Sequence, residues 1–206
     1  MPHFPHSDPA SADAVRAEYA ELVRQAARGE RSAMERLLVR VQEAAYRFSL
    51  LVCGHPEDAE DVMQDALLKT YQHVGSIADP NAFRTWLYTT VRNACLMKRR
   101  RHVGEPRHFE SIEGEGEAGG GRERAIDLPD TAPRPDDRMM DGWIDRRLRR
   151  AIQALPPTYR LVLVMREIDG LSTREVATVT GASEANVKQR LHRARVMLRR
   201  ELESYD

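Results

Sequence analysis

The stretch STREVATVTGASEANVKQRLHRARVMLRREL, residues 172–202, decides how this chain is read. Ser172 precedes Glu175 by three residues, the spacing of a capping box at a helix N-terminus. The helix so opened, over 173–180, stops at Gly181, a residue that takes positive φ without steric cost. A second helix starts at Ser183 or Glu184 and runs to about Glu203, with Val187, Leu191, Ala194 and Leu198 as its buried stripe. Ala177 is small where the first helix crosses the second. Capped helix, glycine turn and second helix make a helix-turn-helix.

The other face of the second helix offers Asn186, Lys188, Gln189, Arg190, His192, Arg193 and Arg195. From Ala185 to Arg200 there are six Lys or Arg residues and no acidic one. That suits a helix in the major groove, where some side chains meet base edges and others phosphate. The candidate DNA contacts are Arg174, Lys188, Gln189, His192, Arg193 and Arg195. A solvated basic face on a three-helix bundle is the alternative.

Upstream, 145–154 reads as a helix broken by Pro156-Pro157, and Tyr159 to Ile168 as a short apolar helix ended by Gly170. Before that lies a change of composition. Residues 104–140 are rich in glycine, hold four prolines, and carry five basic against ten acidic side chains, a net charge of −5. Such a segment buries too little apolar surface to offset its ordering entropy. It is expected to be a flexible acidic linker between two small helical domains, 14–103 and 141–206, with residues 1–13 disordered.

In the first domain, Pro56 suits a first helical turn, and Glu57, Asp58, Glu60 and Asp61 suit the positive end of the helix dipole. Val62, Ala66, Leu67, Thr70, Tyr71 and Val74 fall on one face, and Gly75 stops the helix. A second long helix is expected from about Asn81 to Arg101, with Phe83, Trp86, Leu87, Thr90, Val91 and Ala94 inward. Trp86 and Tyr88 stand among Arg84, Arg92, Asn93 and the run Lys98-Arg99-Arg100-Arg101. Aromatic rings interleaved with cations suit single-stranded DNA, since bases stack on rings and phosphates pair with Lys and Arg. Trp86 also falls on the apolar stripe, so a purely packing role competes.

The whole chain of 206 residues has 32 basic and 32 acidic side chains, which alone argues against a nucleic-acid binder. The regional values matter more. The middle is acidic, while residues 141–206 carry 13 basic and 9 acidic side chains. The longest apolar run, Leu161 to Met165, is five residues, so no membrane span is expected. The N-terminus shows no basic or apolar leader pattern. Cys53 and Cys95 cannot make a disulfide framework, and two buried, reduced thiols in a cytoplasmic protein are expected. No phosphate-binding loop or nucleophile elbow is present, and no metal or other cofactor is expected.

PEDAEDVMQDALLKTYQHV (56–74), followed by FRTWLYTTVRNACLMKRRR (83–101), resembles region 2 of bacterial sigma factors of the extracytoplasmic-function (ECF) type. The stretch from Ala154 to Leu202 resembles their region 4. The resemblance covers about 32–103 and 141–203, in the same order. It implies an all-α, non-enzymatic initiation factor that binds core RNA polymerase and directs it to promoter DNA, with an anti-sigma factor as a further partner. Asp58, Asp61, Gln64 and Asp65 match the contact with the polymerase clamp. Asn81, Arg84, Trp86, Arg92, Asn93, Lys98, Arg99 and Arg100 match the surface that captures the melted −10 element. The 183–200 helix matches the reader of the −35 element.

Two other readings remain at this level. One is a free-standing dimeric helix-turn-helix regulator. The other is a nucleic-acid enzyme with Asp58, Asp61 and Asp65 as metal ligands, which share a helix face but lack anything to complete a site.

Overall fold

Gly54 takes positive φ (89°) and ends a 23-residue helix whose apolar residues recur at helical spacing through Ala33, Leu37, Val41, Ala44, Phe48 and Leu51. This helix, α2 (Arg31–Cys53), is the axis of the first half of the molecule. The computed structural model describes the backbone of residues 9–103 and 146–203, and the side chains of 12–98 and 146–203. Around α2 pack α1 (Pro9–Ala27), α3 (Pro56–His73) and α4 (Phe83–Val103). Two single 3-10 turns, Val74–Ser76 and Pro80–Ala82, connect α3 to α4, and Asp79 caps the second by accepting from the Asn81 N–H.

Aromatic rings fill the centre. Phe48 meets Tyr88 edge-on at 5.4 Å between centroids, and Phe83 lies 5.8 Å from Tyr19 and 5.6 Å from Trp86. The Tyr19 hydroxyl donates to the Arg40 carbonyl at 3.1 Å, and burial raises its pKa to about 12.

The second half comprises α5 (Arg146–Ala154), α6 (Pro157–Leu163), α7 (Thr173–Thr180) and α8 (Glu184–Glu203). Between α6 and α7 the expected helix to Ile168 is instead completed by a π-helical turn, Val164–Ile168. The capping box is present: the Glu175 N–H donates to Ser172 Oγ at 3.1 Å, and the Ser172 N–H donates to Glu175 Oε2 at 2.7 Å. Gly181 adopts φ 69°, as the turn requires. Val187, Leu191, Ala194 and Leu198 are buried, as their spacing predicts.

Among the described residues there is no strand, and no helix long and apolar enough to cross a membrane. The expected linker, 104–140, lies outside the described residues. Residues 9–13, expected to be disordered, instead form the first turn of α1, opened by Pro9 with its preset φ.

The two halves share one continuous core. The last four carbonyls of a helix have no intrahelical partner. At the end of α2 the second half supplies two: Gln153 Nε2 donates to the Leu50 carbonyl at 3.3 Å, and Arg160 Nη1 donates to the Val52 carbonyl at 3.2 Å. Arg160 also places a cation at the negative end of the helix dipole.

Candidate nucleic-acid interface

An open basic surface lies on α8. Its buried stripe faces α6 and α7, so Lys188, Gln189, His192 and Arg193 stand exposed on the other side. Arg174 on α7 is exposed too. Arg195 is committed otherwise: its Nη2 donates to Glu167 Oε1 at 2.7 Å, which ties α8 to the π turn.

The α4 surface departs further from expectation. Asn81 and Asn93 are exposed, and Trp86 is half-buried against Phe83. Arg92 is half-buried, its Nη1 donating to Asn93 Oδ1 at 3.3 Å. Its buried Nε has no hydrogen-bond partner, and burial lowers its pKa. A guanidinium so placed gains from an approaching phosphate. The helix continues through Arg99 and Arg100, whose side chains lie outside those described.

Arg84 corrects the sequence reading. It is 2% exposed, not on an open DNA-facing surface. Its Nη2 donates to the Asp169 carbonyl at 2.7 Å, and its Nη1 lies 3.9 Å from Glu175 Oε1. Beside it, Arg47 donates through Nε (3.0 Å) and Nη2 (2.7 Å) to Asp169 Oδ1. Burial raises the pKa of the Asp169 carboxyl, against the pull of the Arg47 charge. Arg47, Arg84, Asp169 and Glu175 therefore form a latch between the two halves. Among the described residues, Arg84 Nε and Glu175 Oε1 have no hydrogen-bond partner. A half-satisfied buried polar network is costly to maintain.

The acidic face of α3 is also rearranged. Asp61, Gln64 and Asp65 are exposed, but Asp58 is buried. Lys98 Nζ, from α4, lies 2.5 Å from Asp61 Oδ2 and 3.7 Å from Asp58 Oδ1. An ammonium thus sits between two of the three carboxylates that the metal reading needs. Among the described residues, no three His, Cys, Asp or Glu side chains are grouped to hold a metal. Beside this face, Leu68 (55% exposed) and Tyr71 (64%) stand in solvent. Tyr71 was expected inward. Val62, Ala66 and Thr70 step by four along the buried line, and Tyr71 lies about 100° round the helix from Thr70.

The cysteines require a second correction. They are not free thiols: Cys53, at the end of α2, and Cys95, on α4, form a disulfide with Cα atoms 5.5 Å apart. The sequence separation of 42 residues hides that proximity.

Residues 33–104 match the family model Sigma-70 region 2, and residues 145–198 match Sigma-70, region 4. The ECF RNA polymerase sigma-E factor of Escherichia coli (strain K12) is 30% identical over 180 residues, covering 84% of this chain and 88% of that one. The chain belongs to the ECF family of RNA polymerase sigma factors. The RNA polymerase sigma-H factor of Pseudomonas aeruginosa is also similar, 28% identical over 179 residues, covering 85% of this chain and 89% of that one. Two solved structures share the fold. One shows CnrH with the cytosolic domain of CnrY (TM-score 0.59, 23% identity, 92% of this chain and 99% of that one). The other shows the sigma factor RpoE with the anti-sigma factor NepR from Bartonella quintana (TM-score 0.57, 22% identity, 82% and 96%).

In this sigma factor, region 2 and region 4 are in contact; of the groups that join them, Arg84 and Glu175 carried other roles in the sequence, and Arg47 and Asp169 carried none. Arg47 sits beside the largely apolar, buried stretch Phe48–Cys53, a position where an unpaired charge is costly. That was the available signal. Asp169 was legible only as half of an Asp-Gly turn.

Proposed function

We propose that this sigma factor binds core RNA polymerase through the α3 face of Asp58, Asp61, Gln64 and Asp65, with exposed Leu68 and Tyr71 beside it. Region 4 reads the −35 element through Lys188, Gln189, His192 and Arg193 on α8, with Arg174 on phosphate and Arg195 reaching phosphate when it gives up Glu167. Region 2 holds the melted −10 strand along Asn81, Trp86, Arg92, Asn93, Lys98, Arg99 and Arg100. The chain carries no bond chemistry of its own; its binding energy goes into holding and melting DNA. It acts in the cytoplasm with the polymerase, and residues 104–140 act as an acidic linker between regions 2 and 4. An anti-sigma factor is a partner, a reading supported by the complex solved for RpoE of Bartonella quintana.

The observation that carries this reading is the exposed basic face of α8 set opposite a buried stripe, behind a capped α7 and a glycine turn. The docked arrangement adds a requirement. Elements centred near −35 and −10 are about 25 base pairs apart, about 85 Å along B-DNA at about 3.4 Å per pair. Here α4 and α7 touch. Regions 2 and 4 must part before both elements are engaged, and parting exposes Arg84 on the α4 surface.

The test is transcription in vitro with purified core polymerase on genomic fragments. Promoter-specific starts that need both core and this protein support the reading. Tight, sequence-specific duplex binding by the protein alone, with no effect on polymerase, would replace it with the free-standing regulator.

A further inference from the structure

The disulfide has no role in the function described above, and its place suggests one. Disulfides are rare in the reducing interior where RNA polymerase works, and those that occur there are mostly transient and redox-sensing. Cys53 is the last residue of α2, and Asp58 follows five residues later in the first turns of α3. Cys95 stands on α4, one turn before Lys98. The sulfur bridge and the Lys98–Asp58–Asp61 ion cluster therefore close the same corner, where α4 meets the α2–α3 junction. The core of region 2 is filled by Phe48, Phe83, Tyr88 and their neighbours, so it does not depend on a staple.

We propose that Cys53 and Cys95 are a thiol–disulfide site whose oxidation clamps Lys98 over the α3 carboxylates and so weakens the binding of core polymerase. The proposal rests on the reading of Asp58 and Asp61 as polymerase contacts. With the bridge closed, the Lys98 turn of α4 is held covalently beside α3. With the bridge open, only packing and the ion cluster hold it, and Lys98 can leave the carboxylates to the polymerase.

Cys53 is 8% exposed and Cys95 is fully buried, so the exchange starts at Cys53. In the oxidising direction the Cys53 thiolate attacks one sulfur of a low-molecular-weight disulfide, and one thiolate leaves. The Cys95 thiolate then attacks the Cys53 sulfur of the mixed disulfide, and the second thiolate leaves. Two electrons pass from the protein sulfurs to the reagent, and the two protein thiol protons end on the two released thiols. A dithiol reductant reverses both steps.

The experiment uses the full chain, equilibrated in buffers of varied reduced-to-oxidised glutathione ratio. Acid quenching, alkylation and intact mass count the thiols. Trypsin cleavage after Lys98 reads the clamp without polymerase, and the Kd for core polymerase reads its consequence. The expected result is two alkylated cysteines in the reduced protein and none in the oxidised one. The oxidised protein should resist cleavage after Lys98 and bind core about three- to fivefold more weakly, the scale of a partly exposed ion pair. Cys53→Ser should bind core like the reduced wild type in every buffer, Cys95→Ala should bind like it in reducing buffer and stop at the Cys53 mixed disulfide in oxidising buffer, and Lys98→Ala should bind tightly in both redox states. A pair that stays as thiols in the most oxidising buffer overturns the proposal, as does cleavage after Lys98 that is equal in both states. If cleavage responds to redox but core binding does not, Asp61→Arg separates the causes. Normal core binding by that variant refutes the polymerase-contact reading, and weakened binding refutes the coupling through Lys98.

Discussion

Asp169→Ala should open the molecule without unfolding it. In the docked form the substitution leaves the Arg47 guanidinium, whose side chain is 15% exposed, facing the gap left by the carboxylate that took its Nε and Nη2 hydrogen bonds. Removing one partner of a buried ion pair costs about 3–5 kcal/mol, because the remaining charge stays desolvated. Arg47 keeps some access to water, so the lower figure applies, about 3 kcal/mol, or about a hundredfold in the docking equilibrium at about 1.4 kcal/mol per factor of ten. Parting the two regions returns Arg47 to water, so the penalty falls on docking and not on the core of either region. Fluorophores on non-natural residues at Glu35 and Glu203 would report the separation by energy transfer. The wild type should show a compact population, and Asp169→Ala a distribution shifted to long distances with helical content unchanged. Transfer efficiency equal to wild type in the variant would refute the latch. Loss of helical signal would show that Asp169 supports region 4 itself.

Other perturbations test other parts. Trp86 is half-buried, so Trp86→Ala should cost about 1–3 kcal/mol, less than the 3–5 typical of a fully buried ring, in a denaturant titration. Open-complex formation should fall with it, and normal open complexes would confine Trp86 to packing. Asp65→Arg should abolish core binding in a pull-down while thermal unfolding is unchanged, since its side chain is exposed, and Asp61→Arg should do the same with a small loss of thermal stability, since it also gives up the Lys98 ion pair. Burial holds the Asp169 carboxyl above its ordinary value, so the folded protein binds that proton more tightly than the unfolded chain. Its contribution to stability is full below the unfolded value, about 3.9, and is lost as pH rises through the higher folded value. Asp169→Asn should remove that part of the slope of unfolding free energy against pH, and an unaltered slope would show that another group carries it.

Local signals in the sequence reached far. The Ser172–Glu175 spacing located the start of α7, Gly181 its end, and the four-residue steps from Val187 the inward side of α8. Pro56 marked the start of α3. Three of the errors share a cause, which is that they depend on groups distant in sequence. Arg84 looks like a cation on a helix surface until Asp169, 85 residues away, is placed against it. Cys53 and Cys95 look like separate buried thiols until α2 and α4 are packed. Asp58 looks exposed until Lys98 arrives from α4. Periodicity gives the face of a helix, not the identity of what covers it. The α8 surface was the most legible because, in the docked form, Lys188, Gln189, His192 and Arg193 are left exposed.

Transcription from a library of randomised −35 elements, with spacer and −10 region fixed and core polymerase supplied, tests whether α8 reads promoter sequence. Gln189→Ala and Arg193→Ala should each relax preference at one or two positions, with a loss of about 1–3 kcal/mol for the favoured base. Arg200→Ala, two or more turns further along α8, should lower all sequences alike or leave them unchanged. If Gln189→Ala and Arg193→Ala both keep the wild-type −35 preference, α8 is not the reader.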